Sequence, residues 1–389
     1  MPLKKIPTPK PGNYPTVPIV NKGELPDPFL KPDGSRITSR KEWPKLSRRW
    51  QDLVVDMEYG GMPPKPKGIE IESLNHSAVR RFPGAPKLQT FRVHCRGGSR
   101  PYSFCVKILF TEQKKPCPAI INGDGCWWYM TDEIAQRVVE SGCALVIFNR
   151  TEMAEDLGYG NPPDKNKRKG GLYDVYPGMK FGALAAWAWG YHRVVDFLYK
   201  MPMIDKRRIA VTGHSRGGKT TLLAGATDER ITLVNDNASC AAGGATFRYV
   251  GNGGETLNIL NSFPSWFGKG LRPYLGREEK MPFDQHCLLA TIAPRPLLLT
   301  YALDDRWSNP EGMVQCAWAA GEVYHFLGKK DNLAFHLRPG IHAHSLDDWK
   351  VLLDFIGWKW FGKKPKAHYN AHPYRHLKPA YPWKAPNKR

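Results

Sequence analysis

One serine in the chain has surroundings that could turn an inert hydroxyl into a nucleophile. After the apolar run RRIAVT comes GHSRGGKTTLLAGA, in which Gly213, Ser215 and Gly217 spell GxSxG between an expected strand and an expected helix. A nucleophile elbow requires that context: a turn so sharp that the serine projects from it, with small residues on both sides to avoid clashes. A serine hydroxyl is unreactive near neutral pH unless a base takes its proton. The reading therefore demands a histidine and a carboxylate to orient it, in the order Ser, acid, His. Both occur downstream. The run RPLLLTYA leads into LDDRWSNP and puts Asp304 and Asp305 at the carboxyl end of a strand; NLAFHLRPG leads into IHAHSLDDW and puts His342 and His344 at the end of the next.

The same letters admit a second chemistry. Residues 213–220, GHSRGGKT, also satisfy GxxxxGK[ST], the loop whose backbone amides cradle nucleotide phosphates. Such a site needs a magnesium-binding carboxylate; Asp236 in ITLVND is the candidate, and nothing else completes it. Acid and histidine at the ends of two separate strands favour the hydrolytic reading, with nucleotide binding behind it.

These residues need a scaffold that brings strand ends together. Short apolar strands are expected at 103–110, 117–121, 144–148, 208–212, 231–235, 297–301 and 333–337, alternating with helices such as 133–140, 184–199 and 347–360. The alternation indicates an α/β fold, a mostly parallel central sheet with helices on both faces, whose ligands bind beyond the carboxyl ends of the strands. Residues 1–85 read as a Pro-rich segment with one amphipathic helix over 39–59, where Trp43, Leu46, Trp50, Leu53, Val54 and Met57 recur at helical spacing before GGMPPKPKG breaks it. Residues 86–361 form the catalytic domain, with an insertion at about 245–281 expected over the sheet's edge. Residues 362–389 are a basic tail rich in proline and aromatics, expected to wrap the surface or be loosely ordered; polyanion binding is its second reading.

Composition narrows the class. With 389 residues, 41% of them hydrophobic, the chain can bury a large core and is not a disordered segment. No apolar run approaches the roughly 20 residues of a membrane span, so no membrane partner is expected. The start, MPLKKIPTPKPGNYP, reads neither as a signal peptide nor as an anchor, which leaves the compartment unknown. The net charge of +21 could attract polyanions, but no nucleic-acid-binding motif accompanies it and no nucleic-acid partner is expected. The eight cysteines show no metal-like spacing; they read as buried small hydrophobes, with disulfides left open and neither metal nor cofactor implied.

The run GHSRGGK resembles the GxSRxGK signature of the glucuronoyl esterases, carbohydrate esterase family 15, especially their bacterial members. DGSRITSRKEW, MEYGGMPPKP, AAWAWGYHRVVDFL, GGETLNILNSFPSWF, PFDQHCLLATIAPRP and DDRWSNPEG are similar to that group as well, from about Asp33 to Trp358. The resemblance implies an α/β-hydrolase fold and a serine esterase that cleaves the ester between a glucuronic acid carboxyl on xylan and a lignin alcohol. Acetylxylan esterase activity is the first alternative and a catalytically weak carbohydrate-binding relative the second. It implies a uronate ester or acidic polysaccharide as substrate and a secreted or periplasmic location; a monomer is expected.

Carried over by residue, the resemblance makes Ser215 the nucleophile, His342 the base with His344 in reserve, and Arg216 the oxyanion stabiliser through its backbone N–H and guanidinium. Physics agrees on Arg216, since a fixed cation beside the elbow stabilises charge developing on the carbonyl oxygen. A loop N–H near Gly123 to Gly125 is expected to assist it. Lys219, Glu255 and Trp307 match sugar-binding positions, although Lys219 could point to solvent and Trp307 could be core. Many members carry a catalytic Glu soon after the nucleophile, where this chain reads NDNASCAAGGATFRY without one. The acid is therefore expected on the loop after RPLLLTYA, as Asp305 first and Asp304 second, with Asp304 capping amides ahead of SNPEG. His214 replaces a cysteine of many fungal members, so their disulfide cannot form here. His368, His372 and His376 read as surface or packing residues.

Overall fold

A computed structural model describes residues 17–127, 130–157, 167–375 and 377–386. Its strands, in chain order, are β1 (Ile19–Asn21), β2 (Gly68–Ala78), β3 (Lys87–Arg96), β4 (Tyr102–Phe110), β5 (Cys117–Asn122), β6 (Ala144–Phe148), β7 (Ile204–His214), β8 (Leu233–Asn237), β9 (Tyr249–Gly251), β10 (Leu297–Ala302) and β11 (Leu333–Arg338). Its helices are α1 (Trp43–Val54), α2 (Asp132–Glu140), α3 (Gly171–Val175), α4 (Ala183–Tyr199), α5 (Arg216–Thr227), α6 (Ile259–Ser262), α7 (Gln285–Ile292), α8 (Pro310–Phe326) and α9 (Leu346–Phe361).

Nine strands form one sheet in the order β11-β10-β8-β7-β5-β6-β4-β3-β2. From β6 to β11 every pairing is parallel, whereas β4, β3 and β2 join antiparallel at the far edge. Side chains alternate between the two faces of a strand, so an apolar run in a parallel strand feeds two cores. In β10, Leu297, Leu299 and Tyr301 enter the core shared with α1, α4, α5, α7 and α8, while Leu298 enters the one under α2 and α9. This is the mostly parallel α/β sheet that the strand–helix alternation implied, in the α/β-hydrolase arrangement that the resemblance implied.

Two expectations need correction. The boundary at residue 85 falls in the turn between β2 and β3, which pair over their length. Mostly exposed and carrying few apolar residues, β2 lacked the periodicity that marks a strand. The segment 245–281 leaves the carboxyl end of β8 in mid-sheet rather than covering an edge; Trp266 and Leu271 within it are buried, and its Gly268 amide donates to the Glu58 carbonyl at 2.7 Å. The amphipathic helix occupies the residues expected of it, from the Ser39 cap to a closing turn of π-helix over Val55–Tyr59, stopped by Gly60 at φ 73°.

The basic tail is wrapped on the surface. Trp383 donates its indole N–H to the Leu25 carbonyl at 2.7 Å, and the Leu25 amide donates to the Ala380 carbonyl at 2.9 Å. His372 packs against Trp318 and Tyr374, His368 is exposed, and His376 lies outside the described residues. At the tail's root, the Asp354 carboxylate on α9 accepts the amides of Lys366 and Ala367 and the Tyr369 hydroxyl, each at 3.0 Å. Removing a charged acceptor strands its buried donors, at about 1.5–3 kcal/mol. Asp354→Ala is expected to lower unfolding stability by about that amount in urea titration, and an unchanged midpoint would show that the contacts at the tail's root add nothing to the fold.

Candidate active site

The elbow forms where β7 turns into α5. Ser215 sits at φ 55°, ψ −121°, a conformation that L-residues avoid unless the surroundings enforce it. They do so by hydrogen bonding. The Ser215 amide donates to the Asn237 carbonyl at 2.8 Å and the His214 amide to Asp124 Oδ2 at 2.8 Å. A Cβ at Gly217 would lie 2.2 Å from Asp124 Oδ1, and one at Gly213 would lie 2.5 Å from the Gly217 carbonyl oxygen, so the glycines of the motif are needed for close approach.

The candidate acid and base arrive from the two strands beyond β8. His342, in the loop after β11, points Nδ1 at Asp305 Oδ2, 2.5 Å away, and Asp305 Oδ1 accepts the Ser308 amide at 3.3 Å. Burial pushes the Asp305 carboxyl up, but the hydrogen bond and charge of His342 and the Ser308 amide outweigh it, and the group is held below its ordinary value. Arg338 fixes the loop that carries the base: its Nη1 donates to the Pro339 carbonyl and its Nη2 to those of Ile341 and Ala343, while its Nε meets both oxygens of Asp348 at 2.9 Å. The His214 ring, beside the nucleophile, lies 4.4 Å from that of His342. Its Nδ1–H donates to Asn237 Oδ1 at 2.6 Å, and burial, with His342 adding to it, lowers its pKa to about 3, so it stays neutral beside the base.

Several candidates are sorted by this geometry. His344 is buried and stacked on Trp349, with its pKa driven well below the usual imidazole value by burial. Asp304 accepts the Gly340 amide at 2.9 Å and so ties together the loops after β10 and β11, instead of capping amides ahead of SNPEG. Asp236 lies buried and hydrogen-bonded to the Tyr301 hydroxyl, with burial raising its pKa to about 7. Trp307 is 43% exposed and not core.

Two expectations are overturned. Each amide of the 123–125 loop is consumed within the protein: Gly123 donates to Tyr191 Oη at 2.8 Å, Asp124 to Asn122 Oδ1 at 3.0 Å and Gly125 to the Phe148 carbonyl at 3.0 Å. That leaves the Arg216 amide, at the first turn of α5 and without a protein acceptor among the described residues, as the backbone donor beside Ser215. Lys219 is 1% exposed, and its ammonium donates to the Ser239 and Ala241 carbonyls and, at 2.6 Å, to Glu255 Oε2. With all three donors spent, Lys219 positions Glu255 from beneath and points neither to solvent nor into a phosphate cradle, which removes the nucleotide reading. Burial raises the Glu255 carboxyl while Lys219 pulls it back, and its amide donates to the Trp307 carbonyl at 2.9 Å.

The sequence reading missed what surrounds Arg216. Its guanidinium packs on Trp266 at 4.6 Å and Phe263 at 5.2 Å and donates to both oxygens of Asp156 at 3.2 and 3.3 Å. No motif marks Asp156; its role depends on a loop path that local patterns do not encode. All eight cysteines are free thiols, and no cluster able to hold a metal ion exists among the described residues.

Comparison with known proteins agrees with the geometry. A family model described as fungal glucuronyl esterase matches residues 93–328, more than half of the chain. The chain belongs to the glucuronoyl esterase family. A carbohydrate esterase from an unknown prokaryotic organism is 30% identical, over 86% of this chain and 89% of its own. A 4-O-methyl-glucuronoyl methylesterase of Podospora anserina is also 30% identical, over 86% and 67% respectively. The solved structure of a family 15 glucuronoyl esterase from Caldicellulosiruptor kristjansonii superposes with a TM-score of 0.78 at 30% identity, covering 92% of this chain and 96% of that one.

Two measurements follow within this family. Asp305→Asn is expected to lower kcat by roughly 10²- to 10⁴-fold and Asp304→Asn far less, because only Asp305 meets the base; the reverse order in steady-state kinetics would transfer the role. Lys219→Met strands the Glu255 carboxylate in the interior and is expected to cost about 3–5 kcal/mol in denaturant unfolding, much of it recovered by adding Glu255→Gln.

Proposed function

We propose that this protein hydrolyses esters of the 4-O-methyl-glucuronic acid carboxyl, releasing the alcohol, by acyl transfer through Ser215. The observation that carries the reading is the 2.5 Å pair of His342 Nδ1 and Asp305 Oδ2, set against the strained elbow. Asp305 holds the proton on Nδ1, which leaves Nε2 as the base for the Ser215 hydroxyl. Among the described residues Ser215 Oγ makes no hydrogen bond; the contact to a catalytic base commonly tightens only when substrate is bound.

His342 takes the serine proton as Oγ attacks the ester carbonyl. The Arg216 amide, at the positive end of α5, and the Arg216 guanidinium stabilise the oxyanion. His342 then returns the proton to the leaving alcohol, and water repeats the sequence to free the uronate. The Ser215 environment therefore needs no metal or cofactor for this chemistry. Glu255 supports recognition of the sugar: Oε2 is bound to Lys219, and Oε1, with no protein partner among the described residues, can accept a hydroxyl. Trp307 offers an exposed ring at the same rim, joined to Glu255 through its carbonyl. The uronate ester as substrate class is supported by the names of the relatives in the family.

The test is a panel of methyl and benzyl glucuronate esters beside acetylated xylan, run with wild type and Ser215→Ala. Wild type should hydrolyse the uronate esters in preference to acetyl groups, and Ser215→Ala should lose at least about 10⁴-fold in kcat. Turnover retained without Ser215 would end the mechanism, and a wild type inactive on every ester would leave a carbohydrate-binding protein on a hydrolase fold.

A further inference from the structure

Two arginines share one carboxylate behind the elbow, and they use it differently. Arg150 is fully buried; its Nη1 meets Asp124 Oδ1 at 3.1 Å and its Nη2 meets Asp156 Oδ2 at 3.1 Å. Arg216 is partly open, its side chain 24% exposed, and uses a single nitrogen, Nη1, toward Asp156. Its Nε is buried without a hydrogen-bond partner, and its Nη2 makes no hydrogen bond among the described residues. Asp156 Oδ1 also accepts the Trp266 indole N–H at 3.1 Å.

The rings complete the arrangement. Trp187 and Trp127 pack against Arg150 with centroids 4.7 and 4.4 Å from its guanidinium carbon, and Trp127 and Trp266 lie 5.7 and 4.6 Å from that of Arg216. Cations and aromatic faces thus alternate from α4 to the wall of the site, an arrangement that favours a guanidinium held flat.

We propose that Asp156 is the positioning residue for Arg216 in the reaction. Both of its oxygens meet one nitrogen of the guanidinium, Nη1, at 3.2 and 3.3 Å, which anchors that end of the group between the rings and leaves Nη2 for the oxyanion. Its charge is divided among Arg216, Arg150 and Trp266, so it neutralises Arg216 less than an exclusive ion pair would. A cation this close to a developing charge acts only if its orientation is set before the reaction, and Asp156 with Trp266 sets it. The proposal rests on the reading of Ser215 as an esterase nucleophile and of Arg216 as an oxyanion donor.

The experiment is a double-mutant cycle on a methyl glucuronate ester with wild type, Asp156→Asn, Arg216→Ala and the double variant. Asp156→Asn should lower kcat by roughly 10- to 100-fold with KM changed less than about 3-fold, since the loss belongs to the transition state. In the Arg216→Ala background the same change should alter kcat by less than about 2-fold, because Asp156 acts through Arg216. Losses that multiply in the double variant, or an unchanged kcat in Asp156→Asn, would overturn the proposal. Trp266→Phe, which keeps an aromatic ring and removes the N–H to Asp156, guards against misfolding of the Asp156 variant: its kcat loss should likewise vanish without Arg216, and persistence would count against the clamp. A wild type with no activity on the ester would remove the underlying esterase reading, whereas an active wild type with multiplying losses would remove the clamp alone.

Discussion

The buried carboxylate of Asp124 meets the nucleophile elbow from below, accepting the His214 amide on one oxygen and the Arg150 guanidinium on the other. A residue held as Ser215 is costs of order 1–3 kcal/mol, and such a conformation persists only where neighbours over-determine it. Here the amides of His214, Ser215 and Lys219 are all engaged, the last with the Ser215 carbonyl at 3.1 Å. Because Arg150 continues to Asp156, and Asp156 to Arg216, the strain at the serine and the orientation of the neighbouring cation belong to one hydrogen-bonded unit.

A second buried charge organises the opposite side. The loop after β8 places Ala238, Cys240 and Ala242 at positive φ, an unusual run for residues with side chains. Its Ser239 and Ala241 carbonyls turn onto the Lys219 ammonium, whose third donor holds Glu255. An isolated ammonium in this interior would be prohibitively costly; three acceptors, one of them charged, compensate. In the resemblance noted above, this is the stretch where many members carry a catalytic glutamate. Here it is committed to Lys219, while a carboxylate from the next strand, Asp305, meets the histidine.

Neutrality next to the base is also arranged. His214 and His344 are both buried, with burial lowering their pKa values, and the His214 ring lies against that of His342. Their neutral form spares His342 the repulsion that neighbouring imidazolium groups would impose on it in the proposed role of base.

The sequence by itself determined the chemistry on offer and the scaffold that presents it. The GxSxG turn, the acid and histidine at successive strand ends, and the apolar runs of β4 to β8, β10 and β11 depend on local periodicity and turn sterics, which are properties of adjacent residues. It also restricted the acid to two neighbouring aspartates. Choosing Asp305 over Asp304 required the tertiary structure, because the choice depends on which carboxylate the loop after β11 meets, and that loop is set by Arg338 and Asp348. The same holds for the inward turn of Lys219, the spent amides of the 123–125 loop, the membership of β2 in the sheet and the sharing of Asp156 by two arginines. Each is a contact between residues far apart in the chain, formed because a buried donor or charge must find an acceptor, and no local pattern records which one it finds.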